Sequence, residues 1–397
     1  MLAIKGGEPV RTKPFPSWPV WGREEEEMLL SALRSGTWGL GGQLVAKFSE
    51  AFARYSGCNF GVACMNGTTA LKVALKALGV GAGERVLTTP YTFLATSSVI
   101  LELGALPVYV DIVEGGVNID PRLVHEAVDG DIAAILLVHV GGHPVEMDLI
   151  DEVSRTYGVP VLEDAAEAHG TEWKGRRAGS MGVLGCFSFQ SSKVMTSGEG
   201  GIITTNDAEL AEVCASLINC GRSKGRDWYE NDILGYNYRM TEFQAAILLS
   251  QLSRLDEQIE RRQKNFEELL RLCRELEGFK VIQPPAGTSR NPNYLVIVQA
   301  DSGYFKGIPK KRIVDALRAE GIPASYGWPV PLYRYPPIRR YLEHHGVKVD
   351  PEEFPNTERA ASEFFFIHHR VLLGGYGEVS DIYEALRKIE RNADDVI

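Results

Sequence analysis

The chain has 397 residues, 44% of them hydrophobic and 24% charged, which is ordinary for a soluble globular protein and long enough for two or three domains. Its formal charge of −10 works against broad binding to nucleic acid or anionic membranes, because such surfaces attract a positive excess. The six cysteines show neither CxxC pairing nor the density of a disulfide scaffold, so reduced thiols in a cytoplasm are expected, and no metal site is. The N-terminus lacks a long apolar stretch behind its charges and no run of about 20 apolar residues occurs elsewhere, so neither a signal peptide nor a membrane span is predicted.

In chain order, the acidic run Glu24 to Glu27 reads as a solvated helix face. Asn66-Gly67-Thr68-Thr69-Ala70-Leu71 opens a helix whose apolar positions Leu71, Ala74, Leu75 and Leu78 share one face and which stops at Gly79. Short apolar runs then alternate with helix-like segments: Val86-Leu87, Ala105 to Val110, Ile132 to Val140, Val159 to Leu162, Val183 to Phe189 and Gly201 to Thr205. That alternation predicts an α/β fold, a mostly parallel central sheet covered by helices. Asp120-Pro121 marks a helix start, with Asp as cap and Pro in the first turn.

From Thr241 the period changes, and Leu248, Leu252, Leu255, Ile259, Phe266, Leu269, Cys273 and Leu276 recur at helical spacing, predicting one long bridging helix. Beyond it PPAGTSRNPNY reads as a loop, YLVIVQA as a strand and KKRIVDALRAEG as a helix. The division expected is an arm (1–14), a large α/β domain (15–250) and a small C-terminal α+β domain (251–397).

The chemistry concentrates in three segments. In FSFQSSKVMTSGEGG one lysine, Lys193, sits among small and hydroxylic residues between two apolar strands. Held in a cleft, such an amine loses hydration, which lowers its pKa and makes it nucleophilic; a structural ion pair is the alternative. Asp164 ends the short apolar run that begins at Val159, and ligands of open α/β sheets bind beyond the carboxyl ends of strands. A carboxylate there holds a pyridine nitrogen protonated, making the ring an electron sink; capping a following helix is the plainer alternative. Asn66-Gly67-Thr68 supplies a helix N-terminus suited to a phosphate, although many helices that open with Gly-Thr bind nothing. Phe93, in PYTFLAT, is either a platform for a planar ring or a core aromatic.

Together with SGTWGLGG, VDI, VHVGGHPVEMD, EDAAEAHG and GYNYRMTEFQAA, in this order along nearly the whole chain, these segments resemble the DegT/DnrJ/EryC1/StrS family of sugar aminotransferases, of the aspartate-aminotransferase fold (fold type I). The resemblance implies pyridoxal 5′-phosphate as cofactor, held by Lys193 as a Schiff base, with Asp164 on the pyridine nitrogen and Phe93 stacked on the ring. It implies Gly67, Thr68 and Ser188 around the phosphate. Asn237, in GYNYRM, matches an asparagine that serves the neighbouring subunit's phosphate, implying a homodimer with shared sites. Glu167 matches a position near the phenolic oxygen that is often Gln or His in relatives, a departure that opens whether it donates or accepts.

LAIKGGEPVR, FSFQ and PNTERAASEFFFIHHRVLLGG resemble the branch containing scyllo-inosose aminotransferases and 3-amino-5-hydroxybenzoate synthase, and draw His368 and His369 into the candidate site. The activity implied is transfer of an amino group from L-glutamine or L-glutamate to a cyclic ketone by a ping-pong mechanism. A nucleotide-sugar aminotransferase and a non-catalytic PLP-binding regulator are the alternatives. Two other readings fare worse: a pyridoxamine-dependent dehydratase has histidine where Lys193 stands, and GLGG at 39–42 lacks the strand and spacing of a dinucleotide site.

Overall fold

The computed structural model describes residues 1–396 apart from 224 and 226. The large sheet has seven strands in the order Phe60–Cys64, Gly201–Thr205, Leu184–Ser188, Val161–Asp164, Ile132–Val138, Arg85–Thr88, Leu106–Tyr109. The last five in that order pair in parallel, while Gly201–Thr205 runs against both its neighbours. The six predicted apolar runs are thus strands. Phe60–Cys64, which has no counterpart among those runs, completes the sheet at an edge.

Burial explains the apolar runs. Along these strands alternate side chains enter two different clusters: Leu87, Ile135, Leu137, Val161, Phe187 and Ile202 in one, Val86, Ala134, Leu136, Leu162, Cys186 and Ile203 in the other. A sheet covered on both faces has no solvent side to encode, so the sequence reads as continuous hydrophobicity.

The same alternation separates two neighbouring acids. Glu163 is wholly buried; its carboxylate accepts from the backbone N–H groups of Gly179, Met181 and Gly182 at 2.9, 2.7 and 2.6 Å and lies 2.9 Å from His139 Nε2. It pins the crossover that returns the chain to the next strand. Asp164 faces the other way. That crossover contains the small ribbon of Glu172–Trp173 and Arg176–Arg177, paired with Thr288–Arg290.

A second, antiparallel sheet has the order Phe279–Val281, Leu295–Ala300, Phe364–His368, Ala324–Ser325. The predicted long helix is two, Glu242–Ser253 and Leu255–Cys273, parted at Arg254. Leu255 and Ile259 pack in a large-sheet cluster, whereas Phe266, Leu269 and Cys273 pack with the second sheet. Glu25 corrects the reading of the acidic run: it is 4% exposed, paired with Arg254 at 2.8 Å and accepting from the backbone of Gly22. The run spans the first turn of the helix Arg23–Arg34 and so cannot share one face; its second member points inward. Asp120 does cap Pro121–Ala127, accepting from Arg122 N–H. All six cysteines are free thiols, and no helix among the described residues is long and apolar enough to cross a membrane.

Candidate active site

A cleft of about 1090 Å³ opens at the carboxyl ends of the parallel strands, where Val138, Asp164 and Ser188 end their strands. Gly67, Thr68, Phe93, Asp164, Glu167, Ser188 and Lys193, seven of the eight residues that the resemblance implies around the cofactor, line this one cleft. Asn237 is not among its lining residues; it is exposed, in a short bridge with Asn219.

Lys193 is held from behind. Its neighbours Val194 and Met195 are buried in the core and its own N–H donates to Gln190 carbonyl at 2.9 Å, which leaves the side chain to cross the cleft. Nζ lies 3.1 Å from Glu167 Oε1. Glu167 Oε2 accepts from Gly141 N–H at 2.8 Å, so both oxygens accept and the residue acts as a carboxylate. That arrangement makes Glu167 the acceptor toward both Gly141 and Lys193. It also corrects the expected pKa of Lys193: burial does pull it down, but the Glu167 carboxylate, with Tyr294 and Asp164, outweighs burial and leaves it above the ordinary lysine value. The amine rests as a paired ammonium.

Asp164 accepts from Thr96 Oγ1 at 3.1 Å and from Ala166 N–H at 3.2 Å. No helix follows it, so it caps none; the short bond to Ala166 instead fixes its rotamer. Burial raises its pKa to about 6, since only two hydrogen bonds and a distant ammonium offset the loss of water. Asp164 ends one strand and Lys193 lies in the loop that follows the neighbouring strand, Leu184–Ser188, with Asp164 opposite Cys186; the excursion between them is a ribbon rather than the expected helix.

Across the cleft, Asn66 caps the helix Gly67–Ala77 by accepting from Thr69 N–H at 2.8 Å. A Cβ on Gly67 would lie 2.6 Å from Ser188 Cβ, so glycine is what lets the strand end and the helix N-terminus share one concave corner. Phe93 is 61% exposed, its ring on the cleft wall and not in the core. His368 lines the cleft as well, while His369 is buried behind it and donates from Nε2 to Ser192 carbonyl at 2.9 Å. Burial holds both imidazoles below their ordinary pKa, His368 at about 4. Trp18, Tyr294 and Trp328 line the cleft too, and no local pattern marks them; Arg370, beside the histidine pair in IHHRVLLGG, lines it as well.

A buried aspartate at the end of one parallel strand and a lysine on the loop after its neighbour, facing a helix N-terminus, on a sheet with one antiparallel member, are the marks of a fold-type I aminotransferase. The crystal structure of 3-amino-5-hydroxybenzoic acid synthase superposes with a TM-score of 0.88 at 34% identity, covering 95% of this chain and 99% of that one. The chain belongs to the DegT/DnrJ/EryC1/StrS aminotransferase family, whose profile matches residues 19–387, and it is an aminotransferase. It is 36% identical over 416 residues to the L-glutamine:2-deoxy-scyllo-inosose aminotransferase of Streptoalloteichus tenebrarius, covering 98% of each chain. It is 35% identical over 375 residues to the 3-amino-5-hydroxybenzoate synthase of Amycolatopsis mediterranei, covering 92% of this chain and 94% of that one.

Proposed function

We propose that this aminotransferase binds pyridoxal 5′-phosphate through Lys193 and moves an amino group from L-glutamine or L-glutamate to a cyclic ketone, a keto-cyclitol or keto-sugar, by a ping-pong mechanism. The observation that carries the reading is the Lys193 ammonium, 3.1 Å from Glu167, sharing one cleft with the buried Asp164. The residues fit that cofactor. The corner at Gly67 and Ser188 is one a Cβ would fill, and it faces exposed N–H groups of a helix, the chemistry a phosphate needs. Asp164 is a buried carboxylate whose ionised form lacks a cation of its own, the chemistry a protonated ring nitrogen needs.

Pyridoxal phosphate, when bound, supplies an aldehyde that condenses with amines and a ring that accepts the electron pair left at a deprotonated carbon. Asp164 holds the proton on the ring nitrogen that makes this possible. Lys193 would anchor the cofactor and, once freed by the amino donor, would take the proton from the donor's Cα; in the second half it would serve the ketone in reverse. Glu167 keeps the displaced amine in place as an acceptor on one side. Gly67, Thr68 and Ser188 bind the phosphate, and Phe93 presents a ring face.

Asn237 is exposed and outside its own chain's cleft, which supports its use by a second copy in a homodimer with shared sites. The free thiols support a cytoplasmic setting. The two packing environments along Leu255–Cys273 support a division of the chain near residue 250. The name of the Streptoalloteichus tenebrarius relative, an L-glutamine:2-deoxy-scyllo-inosose aminotransferase, supports glutamine as donor and a free cyclic ketone as acceptor. A donor-and-acceptor panel tests this: turnover with glutamine and keto-cyclitols should exceed turnover with nucleotide-linked keto-sugars, and the reverse preference would reject the acceptor.

A further inference from the structure

Tyr294 stands just before the strand Leu295–Ala300 of the second sheet, yet reaches the lysine loop at two points. The Lys193 Nζ lies 4.3 Å from the centre of its ring. Its hydroxyl lies 2.9 Å from Ser192 Oγ. Ser192 Oγ donates to Gln190 Oε1 at 2.8 Å, so the phenol is the donor and Ser192 the acceptor. Tyr294 is 7% exposed, so water competes weakly for either contact. The loop is braced further by Trp18, whose indole N–H donates to Ser191 carbonyl at 3.0 Å, and by His369 on Ser192 carbonyl.

These contacts fix an amine that must be both bonded and free in one cycle. A lysine side chain is long and loses much rotamer freedom when held, so a single contact leaves its Nζ poorly placed. Here the ammonium has a carboxylate on one side and an aromatic face on the other. We propose that Tyr294 is a positioning residue that latches Lys193: its hydroxyl fixes the residue before the lysine, and its ring face holds the ammonium opposite Glu167 whenever the amine is free. The role in the cycle rests on the cofactor reading above; the latch itself does not.

The other groups facing this amine leave the ring a distinct part. Glu167 and Asp164 are the nearby acids, with Glu199 and Arg370 on the cleft wall. Arg262 is buried behind Trp18, its guanidinium 5.3 Å from the indole, and His169, His368 and His369 are held neutral by burial. The ring of Tyr294 is the face that lies 4.3 Å from the amine, so removing it tests a contact distinct from those of the acids.

The test is a lysine ε-carbon NMR titration of the full-length chain freed of cofactor, with the Lys193 resonance assigned by its loss in Lys193→Arg. Tyr294→Phe keeps the ring face and removes only the hydroxyl; Tyr294→Leu and Tyr294→Met remove the face, two choices so that one folded variant, judged by its melting curve, suffices. A cation–π contact out of water changes the protonation equilibrium by about tenfold, so the leucine or methionine variant should titrate about one pH unit below wild type. The phenylalanine variant keeps the ring face and loses only the phenol's electrostatic pull on the amine, so it should move less than the leucine or methionine variant, and its lysine should be more mobile. A face-removing variant that titrates with wild type overturns the latch, as does a phenylalanine variant that moves as far as leucine. Failure of the cofactor reading is separate: no visible band on adding pyridoxal phosphate to wild type.

Discussion

Replacing Asp164 by asparagine should stabilise the cofactor-free chain while destroying turnover. The side chain is buried and its pKa is raised from 3.8 to about 6, chiefly by loss of water. The folded chain then binds this proton more tightly than the unfolded chain, so stability falls as pH rises from the unfolded value towards 6 and stays lower above it. At about 1.4 kcal/mol for each pKa unit, carrying the ionised carboxylate costs the fold roughly 3 kcal/mol at neutral pH.

Asparagine keeps the size and can satisfy both partners. Its carbonyl accepts from Ala166 N–H, and its amide donates to Thr96 Oγ1, which rotates to accept. Melting curves at fixed protein concentration, run near pH 8 and near pH 4.5, read the difference. Asp164→Asn should raise the Tm by a few degrees near pH 8 and by little near pH 4.5, where Asp164 is itself protonated. Turnover should fall by several powers of ten, and pyridoxal phosphate should stabilise wild type more than the variant, because a protonated ring nitrogen repays the buried charge only where a carboxylate remains. A variant no more stable than wild type near pH 8, or equally stabilised at both pH values, would refute the reasoning.

Gly67→Ala places a methyl group 2.6 Å from Ser188 Cβ and should weaken cofactor binding at least about tenfold in a spectral titration, a loss of about 1.4 kcal/mol; unchanged affinity would reject the phosphate corner. Lys193→Ala and Asn237→Asp, each inactive alone, should recover about a quarter of wild-type activity on random pairing, because a mixed dimer confines both lesions to one site. Subunit exchange verified by mass without any activity would reject the sharing of Asn237 between chains.

How far the sequence could be read follows from what each feature depends on. The six strands were visible because burial on both faces makes each a continuous apolar run, and Asp120 was visible because a cap needs only its own neighbours. Glu25 was hidden: its inward turn is set by Arg254, more than two hundred residues away. The break at Arg254 was hidden because the leucine spacing runs on across it. The pKa of Lys193 was misjudged in sign since desolvation is implied by any cleft, whereas the carboxylate that overrides it is brought in by the turn after Asp164. Tyr294 sits where the predicted loop meets the predicted strand, and only the docking of the second sheet carries it to the lysine.

The central claim is that Lys193 carries the cofactor. Borohydride reduction of the protein loaded with pyridoxal phosphate, followed by peptide mass measurement, tests it most directly. The account predicts a yellow protein whose visible band disappears on reduction, with the reduced cofactor's mass fixed on the peptide containing Lys193 and absent from Lys193→Ala. A protein that stays colourless with the cofactor, or one whose label falls on another lysine, would contradict it.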